Sequence, residues 1–336
     1  TTTPTGSARV RAIFGNNVHH FYLPYDLHMA MAGMLKRIQP KAVLITEVEL
    51  WPNLIHACWK RDIPVMVVNA RMTDRSARRY KKIGKLFNPM LAKLYHICAQ
   101  GQRDFTNYAW LGVPDEKLTL TNNIKFDQVA SATAPGHSFL GLNKADYPIL
   151  VAGSTHDLEE EAVLQAAKEL WQKSPSLKII IVPRHPERFD TVAKLIEAKS
   201  LSFVRSSQVQ SVPENTNVVL LDEMGKLNDA YAVASFAFVG GSIADRGGHN
   251  ALEPASFSIP IIMGPHTYNN PVICSYLEEC GALIKVESGK AMSTIVDRWI
   301  HNPSERENAG QAGRKVLEEN SGALESTVKC IRKYVN

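Results

Sequence analysis

A chain of 336 residues, 45% hydrophobic and 21% charged, can bury a large core, and its length predicts two domains of ordinary size. This balance excludes intrinsic disorder, and no apolar run reaches the roughly eighteen residues that a membrane-crossing helix requires. Lys plus Arg exceed Asp plus Glu by only 38 to 33, so the placement of charge says more than its total.

The five cysteines, Cys58, Cys98, Cys274, Cys280 and Cys330, are scattered and contain no C-x-x-C pair. That pattern argues against a disulfide framework or a zinc knuckle and fits a reducing compartment. The chain opens Thr1-Thr2-Thr3-Pro4 without an initiator Met, so nothing about a leader or an anchor follows from its start.

Short β-branched or apolar runs at 18–23, 42–45, 64–68, 95–99 and 118–121 predict a first set of strands. A second set is predicted at 148–152, 178–182, 217–221, 236–239, 259–262 and 282–286. Most spacings leave room for a crossover helix, so the expected class is α/β with two parallel sheets. The small residues from Ser131 to Ser138, with Pro135 and Gly136, read as a linker. The expected division is therefore a domain over 1–131, a linker over 132–147, a second domain over 148–320 and a C-terminal helix over 321–336.

In the first half, Val43-Leu44-Ile45-Thr46 runs into Glu47, Glu49, Trp51 and Pro52. Acids at a strand end can hold a substrate hydroxyl or act as a general base; alternatively they belong to a helix start ahead of a core Trp51. Between 71 and 85, Arg71, Arg75, Arg78, Arg79, Lys81, Lys82 and Lys85 face only Asp74, while Ala77, Tyr80, Ile83 and Leu86 fall at helical spacing. A basic amphipathic helix suits an anionic membrane surface or a phosphorylated acceptor; the blander reading is a solvated helix face. Nucleic acid is not expected, because apart from Tyr80 no aromatic residues interleave with the cations.

In the second half, polar clusters follow one predicted strand after another: Gly153-Ser154-Thr155-His156, Pro183-Arg184-His185-Pro186, Gly240-Gly241-Ser242 and Gly264-Pro265-His266. In an open parallel sheet these ends converge on one ligand crevice. Gly247-Gly248-His249-Asn250 then leads into Glu253. Paired glycines before a helix start can aim backbone N–H groups at a phosphate, and Glu253, sharing a helix face with His249, can accept ribose hydroxyls. The alternative is that His249 and Asn250 merely cap the helix and Glu253 is a solvated first-turn acid. Arg184 and His185 add a guanidinium fork and an imidazole beside the proposed phosphate.

Taken together, Thr46–Asn53, Asn69-Ala70-Arg71, Asn123–Asp127, Gly153–His156, Arg184–Arg188, Phe238–Ser242, Gly247–Pro254, Gly264–His266 and Asn269 resemble the 3-deoxy-D-manno-octulosonic acid (Kdo) transferase family. The resemblance extends over most of the chain. It implies a GT-B architecture, two Rossmann-like domains facing a cleft, with CMP-Kdo on the second and a lipid A precursor on the first. It further implies an inverting transfer without metal or other cofactor, at the cytoplasmic face of the bacterial inner membrane.

By position, the resemblance puts Arg184, Gly241, Ser242, Asn250 and Glu253 around the donor, with Glu253 on the ribose and Glu47 and Lys125 near the reacting sugars; Ser154, His185, Gly240, Gly248 and His249 join the donor candidates through their place in the same clusters. It also implies that the general base lies in a loop upstream of Thr1, so that this chain is expected to bind CMP but transfer sugar poorly. Asn122 and Leu158 stand where the family has Gly. Asn tolerates a left-handed backbone, whereas Leu158 leaves the local turn open. The rival within enzymes is a GT-B protein using a UDP-sugar, as a transferase or an epimerase; outside enzymes, it is a nucleotide-binding, membrane-docking module.

Overall fold

A computed structural model of the chain describes residues 1–130 and 138–335, and it divides into two compact units, Thr1–Ile124 with Gly322–Asn336, and Lys125–Ser321. The first unit holds a four-stranded parallel sheet, β1 (Val43–Thr46), β2 (Val65–Ala70), β3 (His96–Ala99) and β4 (Leu118–Leu120), in the order β1-β2-β3-β4. Its central strands β2 and β3 are almost wholly buried, which is why they read as near-continuous apolar runs rather than alternating ones. The helix Pro52–Trp59 starts without a cap from Trp51; instead Asp26 accepts the N–H groups of Asn53 and Leu54, both at 2.9 Å.

The second unit holds β5 (Ile149–Thr155), β6 (Lys178–Pro183), β7 (Phe203–Arg205), β8 (Val218–Leu220), β9 (Phe236–Val239), β10 (Ile261–Met263) and β11 (Leu283–Lys285), all parallel. Their order is β11-β10-β9-β5-β6-β8-β7. From β5 the chain builds outward first through β6 and later, in the opposite direction, through β9. The switch point of this sheet therefore lies between the carboxyl ends of β5 and β9. Two apolar cores cover the faces of the sheet, one including Leu150, Ile179, Phe236 and Trp299, the other including Val151, Ile180, Val219 and Ala237. No helix among the described residues is long and apolar enough to cross a membrane.

Four expectations change. The run 18–23 forms no strand: Val18, Phe21 and Tyr22 are exposed, and the stretch is tied instead by Leu23 N–H to the Thr1 carbonyl. The edge strand β7 is only three residues long and half-buried, too short for its periodicity to register. The basic stretch 71–85 is two helices, Asp74–Lys82 and Gly84–Leu91, broken at Ile83, where ψ reaches 27°. Gly84, a poor helix former, follows that break.

The fourth change is the division of the chain, which falls after Ile124 rather than at 131. The helix Lys125–Ala130 already belongs to the second unit, because Phe126 is buried there with Val239 and Leu252. The expected linker lies outside the described residues over 131–137; from 138 to 147 the chain packs on the second unit through Phe139, Leu142 and Tyr147. The C-terminal helix, Ala323–Arg332, returns to the first unit, burying Ala323 and Thr327.

Asn122 and Leu158 both adopt left-handed backbone, with φ of 63° and 73°. Leu158 sits immediately before the helix Glu159–Trp171 with its side chain 70% exposed, so no packing offsets the strain, which for a residue with a Cβ is about 1–2 kcal/mol. Leu158→Gly should raise the stability of the chain by about 1 kcal/mol after the entropy cost of Gly, measured by urea unfolding, whereas Asn122→Gly should change it by no more than a few tenths.

Candidate functional site

At the carboxyl ends of β5, β6 and β8, closed by His249, Asn250 and Glu253, lies a cavity of about 370 Å³ within the second unit. Ser154, Arg184, His249, Asn250 and Glu253 line it, as their position after predicted strands suggests. Glu253 is half-buried, and burial pushes its carboxyl up, opposed by the Asn250 amide at 3.4 Å and the Arg184 charge. It is not the solvated first-turn acid of the alternative reading. Asn250 does cap in part, its Oδ1 accepting the Leu252 N–H at 3.2 Å, while His249 plays no capping role. Arg184 is exposed, with its N–H on the Thr155 carbonyl at 3.0 Å, which leaves the guanidinium at the cavity wall.

The glycine loop behaves differently from expectation. The N–H groups of Gly241, Ser242, Ile243 and Ala244 all donate to the buried carboxylate of Glu159, at 2.8, 2.9, 2.9 and 3.3 Å. His156 N–H donates to the same carboxylate at 2.9 Å. The anion nest predicted for a phosphate is thus filled by an internal acid. Ser242 is wholly buried, its hydroxyl donating to Val239 O at 2.6 Å and accepting from Gly264 N–H at 2.8 Å.

Gly240 N–H goes to Gly153 O, and Gly248 N–H to Gly241 O, both at 2.8 Å. These glycines serve close packing. A Cβ on Gly240 would collide with the Ser154 carbonyl, and one on Gly241 would lie 2.9 Å from the His249 ring. Gly240, Gly241, Ser242 and Gly248 therefore shape the site from behind rather than offering donors to a ligand.

Beside the cavity, His156 and His249 stack with rings 6° apart and share an Nε2···Nε2 bond of 2.8 Å. Such a bond needs one ring to donate and the other to accept, so both cannot be protonated. Burial, then His156, Arg184 and His185, depress His249 to about 4. His185 is exposed, with its ring edge-on to His156 at 5.4 Å. Behind them Glu160 is buried, accepting from Thr155 Oγ1 at 2.9 Å and Arg188 Nη2 at 3.0 Å. Burial pushes Glu160 up to about 7, against the bond from Thr155; the Arg188 guanidinium also opposes that shift.

The remaining candidates are not among the residues that line this cavity. Glu47 is a half-buried residue at the end of β1 in the first unit, with φ of 63°. Lys125 opens the second unit and donates to Asn270 Oδ1 at 2.9 Å. Arg75, Arg78, Arg79, Lys81, Lys82 and Lys85 are exposed on the first unit, and Arg71 is half-buried ahead of the first helix. Lys81 Nζ donates to Trp110 O at 2.9 Å.

The cavity also includes Phe189, Glu223, Met224, Gly225, Leu227 and Asn228, which the sequence reading passed over. The signal was there, since Asp222-Glu223-Met224-Gly225 follows the predicted strand 217–221 as the other clusters follow theirs. A guanidinium on the wall and a half-buried carboxyl beside it suit an anionic ligand that also presents hydroxyls.

The sequence matches a family model described as 3-deoxy-D-manno-octulosonic-acid transferase over residues 1–128 and one described as glycosyl transferases group 1 over 157–316. It is 42% identical over 338 residues to a 3-deoxy-D-manno-octulosonic acid transferase of Haemophilus influenzae, covering 100% of this chain and 79% of that protein. The corresponding protein of Bordetella pertussis is 30% identical, over 99% of this chain and 80% of the other. Among solved structures, the C-terminal CMP-Kdo binding domain of WaaA from Acinetobacter baumannii aligns with a TM-score of 0.51 and 31% identity, covering 58% of this chain and 99% of that one. The S. aureus MnaA–UDP co-structure aligns at 0.57 but with 13% identity, over 92% of this chain and 80% of the other, a likeness of fold alone. The fold is GT-B, as expected from the sequence.

Two outcomes follow from this geometry. Glu159→Gln puts an amide NH₂ group among five backbone donors and should destabilise the chain by about 2–4 kcal/mol in urea unfolding. His249 is held below its ordinary 6.5, so the unfolded chain binds the extra proton first; the stability His249 contributes is complete above pH 6.5 and falls away as the pH drops toward 4. The slope of Tm against pH across that window should be shallower in His249→Gln than in the wild-type chain.

Proposed function

The chain belongs to the 3-deoxy-D-manno-octulosonic acid transferase family and is a glycosyltransferase, and from that premise we propose that it transfers Kdo from CMP-Kdo to a lipid A precursor, lipid IVA, in lipopolysaccharide synthesis. The observation that carries the donor assignment is the cavity at the carboxyl ends of β5, β6 and β8, where Arg184 and Glu253 line the same space.

In this reading Glu253 accepts the ribose hydroxyls and Arg184 meets the phosphate, which gains charge as the bond to the anomeric carbon of Kdo breaks. A fixed cation there stabilises the departing CMP more than the intact donor, which lowers the barrier. Ser154, His249 and Asn250 add to the wall, and the exposed imidazole of His185 is a hydrogen-bonding partner for the Kdo carboxylate. The transfer is proposed to be inverting and metal-independent, with an acceptor hydroxyl attacking from the face opposite CMP. Glu47 and Lys125 are proposed near the reacting sugars.

For the acceptor, the exposed cations from Arg75 to Lys85 suit the phosphates of a lipid A precursor and an anionic leaflet. The exposed Tyr25, Leu27 and Met29 of the same unit suit the interfacial region of a bilayer. Both support a location at the cytoplasmic face of the inner membrane.

Cytidine against uridine is the discriminating choice, since a UDP-sugar enzyme is the rival reading. In thermal unfolding, CMP at about 100 times its dissociation constant should add about 2.7 kcal/mol, and UDP at the same concentration much less. Arg184→Ala and Glu253→Ala should each weaken CMP binding roughly 10- to 100-fold, the loss expected for a hydrogen bond to a charged group, while shifting the Tm of the free chain little. Equal stabilisation by UDP, or CMP affinity unmoved in both variants, would overturn the donor assignment.

A further inference from the structure

In the first unit, apart from the donor cavity, three side chains with metal-ligating atoms come together. His96 and Cys98 lie two residues apart on β3 and share a face of the strand, and Cys330 reaches them from the C-terminal helix. One ligand atom of each, a ring nitrogen or a thiol sulfur, lies within 4.8 Å of the other two. His96 is 4% exposed and Cys98 is wholly buried, while Cys330 remains partly accessible.

The ring of His96 is held in place, with Nε2 2.8 Å from Thr119 Oγ1 and Nδ1 3.3 Å from the Tyr334 hydroxyl. A metal takes one ring nitrogen, so one of these two contacts breaks on binding, and the hydroxyl that keeps its bond orients the ligating imidazole. We propose that His96, Cys98 and Cys330 bind one Zn²⁺-class cation, which fastens the C-terminal helix to the sheet of the first unit.

One imidazole and two thiols form a soft donor set that selects zinc and similar cations over Mg²⁺ or Ca²⁺. Zinc takes such ligands tetrahedrally, and the partial exposure of Cys330 lets solvent supply a fourth. Binding exchanges two S–H bonds for two S–metal bonds and releases the two protons to the buffer, with no change of oxidation state. The proposed role is structural, since the three ligands join a helix to a strand and none of them lines the donor cavity. Its failure would leave the donor assignment untouched.

The probes are Co²⁺ and then Zn²⁺, added to the full chain kept reduced with a phosphine. One equivalent of Co²⁺ should give thiolate-to-metal charge-transfer absorption that Zn²⁺ abolishes. Loss of an outer partner alone typically costs about 10- to 100-fold in metal affinity, so Cys330→Ser should cost at least about 100-fold, with the circular dichroism of the chain retained. Cys280→Ser, outside the cluster, should change nothing. In the wild-type chain Zn²⁺ should also slow alkylation of Cys330 at least tenfold while leaving that of Cys280 unchanged, a readout that requires no variant to fold. Absence of the charge-transfer band, its persistence in Cys330→Ser, or unslowed alkylation of Cys330 would each overturn the proposal.

Discussion

The second unit is organised around the carboxylate of Glu159. Four consecutive N–H groups of the turn after β9, together with that of His156 after β5, converge on its two oxygens. Buried donors without partners would cost a few kcal/mol each, and a buried carboxylate without donors would cost more. Each half of this arrangement is therefore untenable without the other. Because it bridges the two sides of the switch point, it holds the β5 and β9 ends in register and places His249, Asn250 and Glu253 at the cavity. An acid that looks in the sequence like one of three ordinary first-turn glutamates sets the shape of the cavity wall.

That interaction also explains where sequence reading succeeded and where it stopped. The buried central strands of both sheets were legible because parallel strands covered on both faces are continuous apolar runs, and the rule that ligands gather at carboxyl ends pointed to Ser154, Arg184, Asn250 and Glu253, which do line the cavity. The roles of Gly241 and Ser242 were not legible, since a glycine turn that cradles a phosphate and one that cradles an internal carboxylate look alike in one dimension. Only the partner, Glu159, eighty-odd positions earlier, tells them apart. The Glu223–Asn228 side of the cavity was missed for a milder reason: no glycine pair marked it, though its place after a strand did.

Position 158 shows the same limit from another angle. A leucine by itself does not suggest left-handed backbone, and only the family's Gly at this position hinted at it, yet its φ is 73° immediately ahead of the helix that carries Glu159. The domain boundary was displaced because a stretch of small residues suggested a linker, while the decisive residue was Phe126, whose burial commits the chain to the second unit before that stretch begins. Composition finds spacers, whereas commitment to a core depends on single large side chains.

The return of the last helix to the first unit makes the two units unequal as pieces of polypeptide. The second is one uninterrupted stretch, Lys125–Ser321, and carries its own cores. The first is assembled from two separated stretches, Thr1–Ile124 and Gly322–Asn336, so during synthesis its sheet must wait, with the β3 face uncovered, until the whole of the second unit has been made and the helix Ala323–Arg332 has emerged. Deleting the helix Ala323–Arg332 would therefore damage not the domain it follows in sequence but the one whose other stretch ends at Ile124.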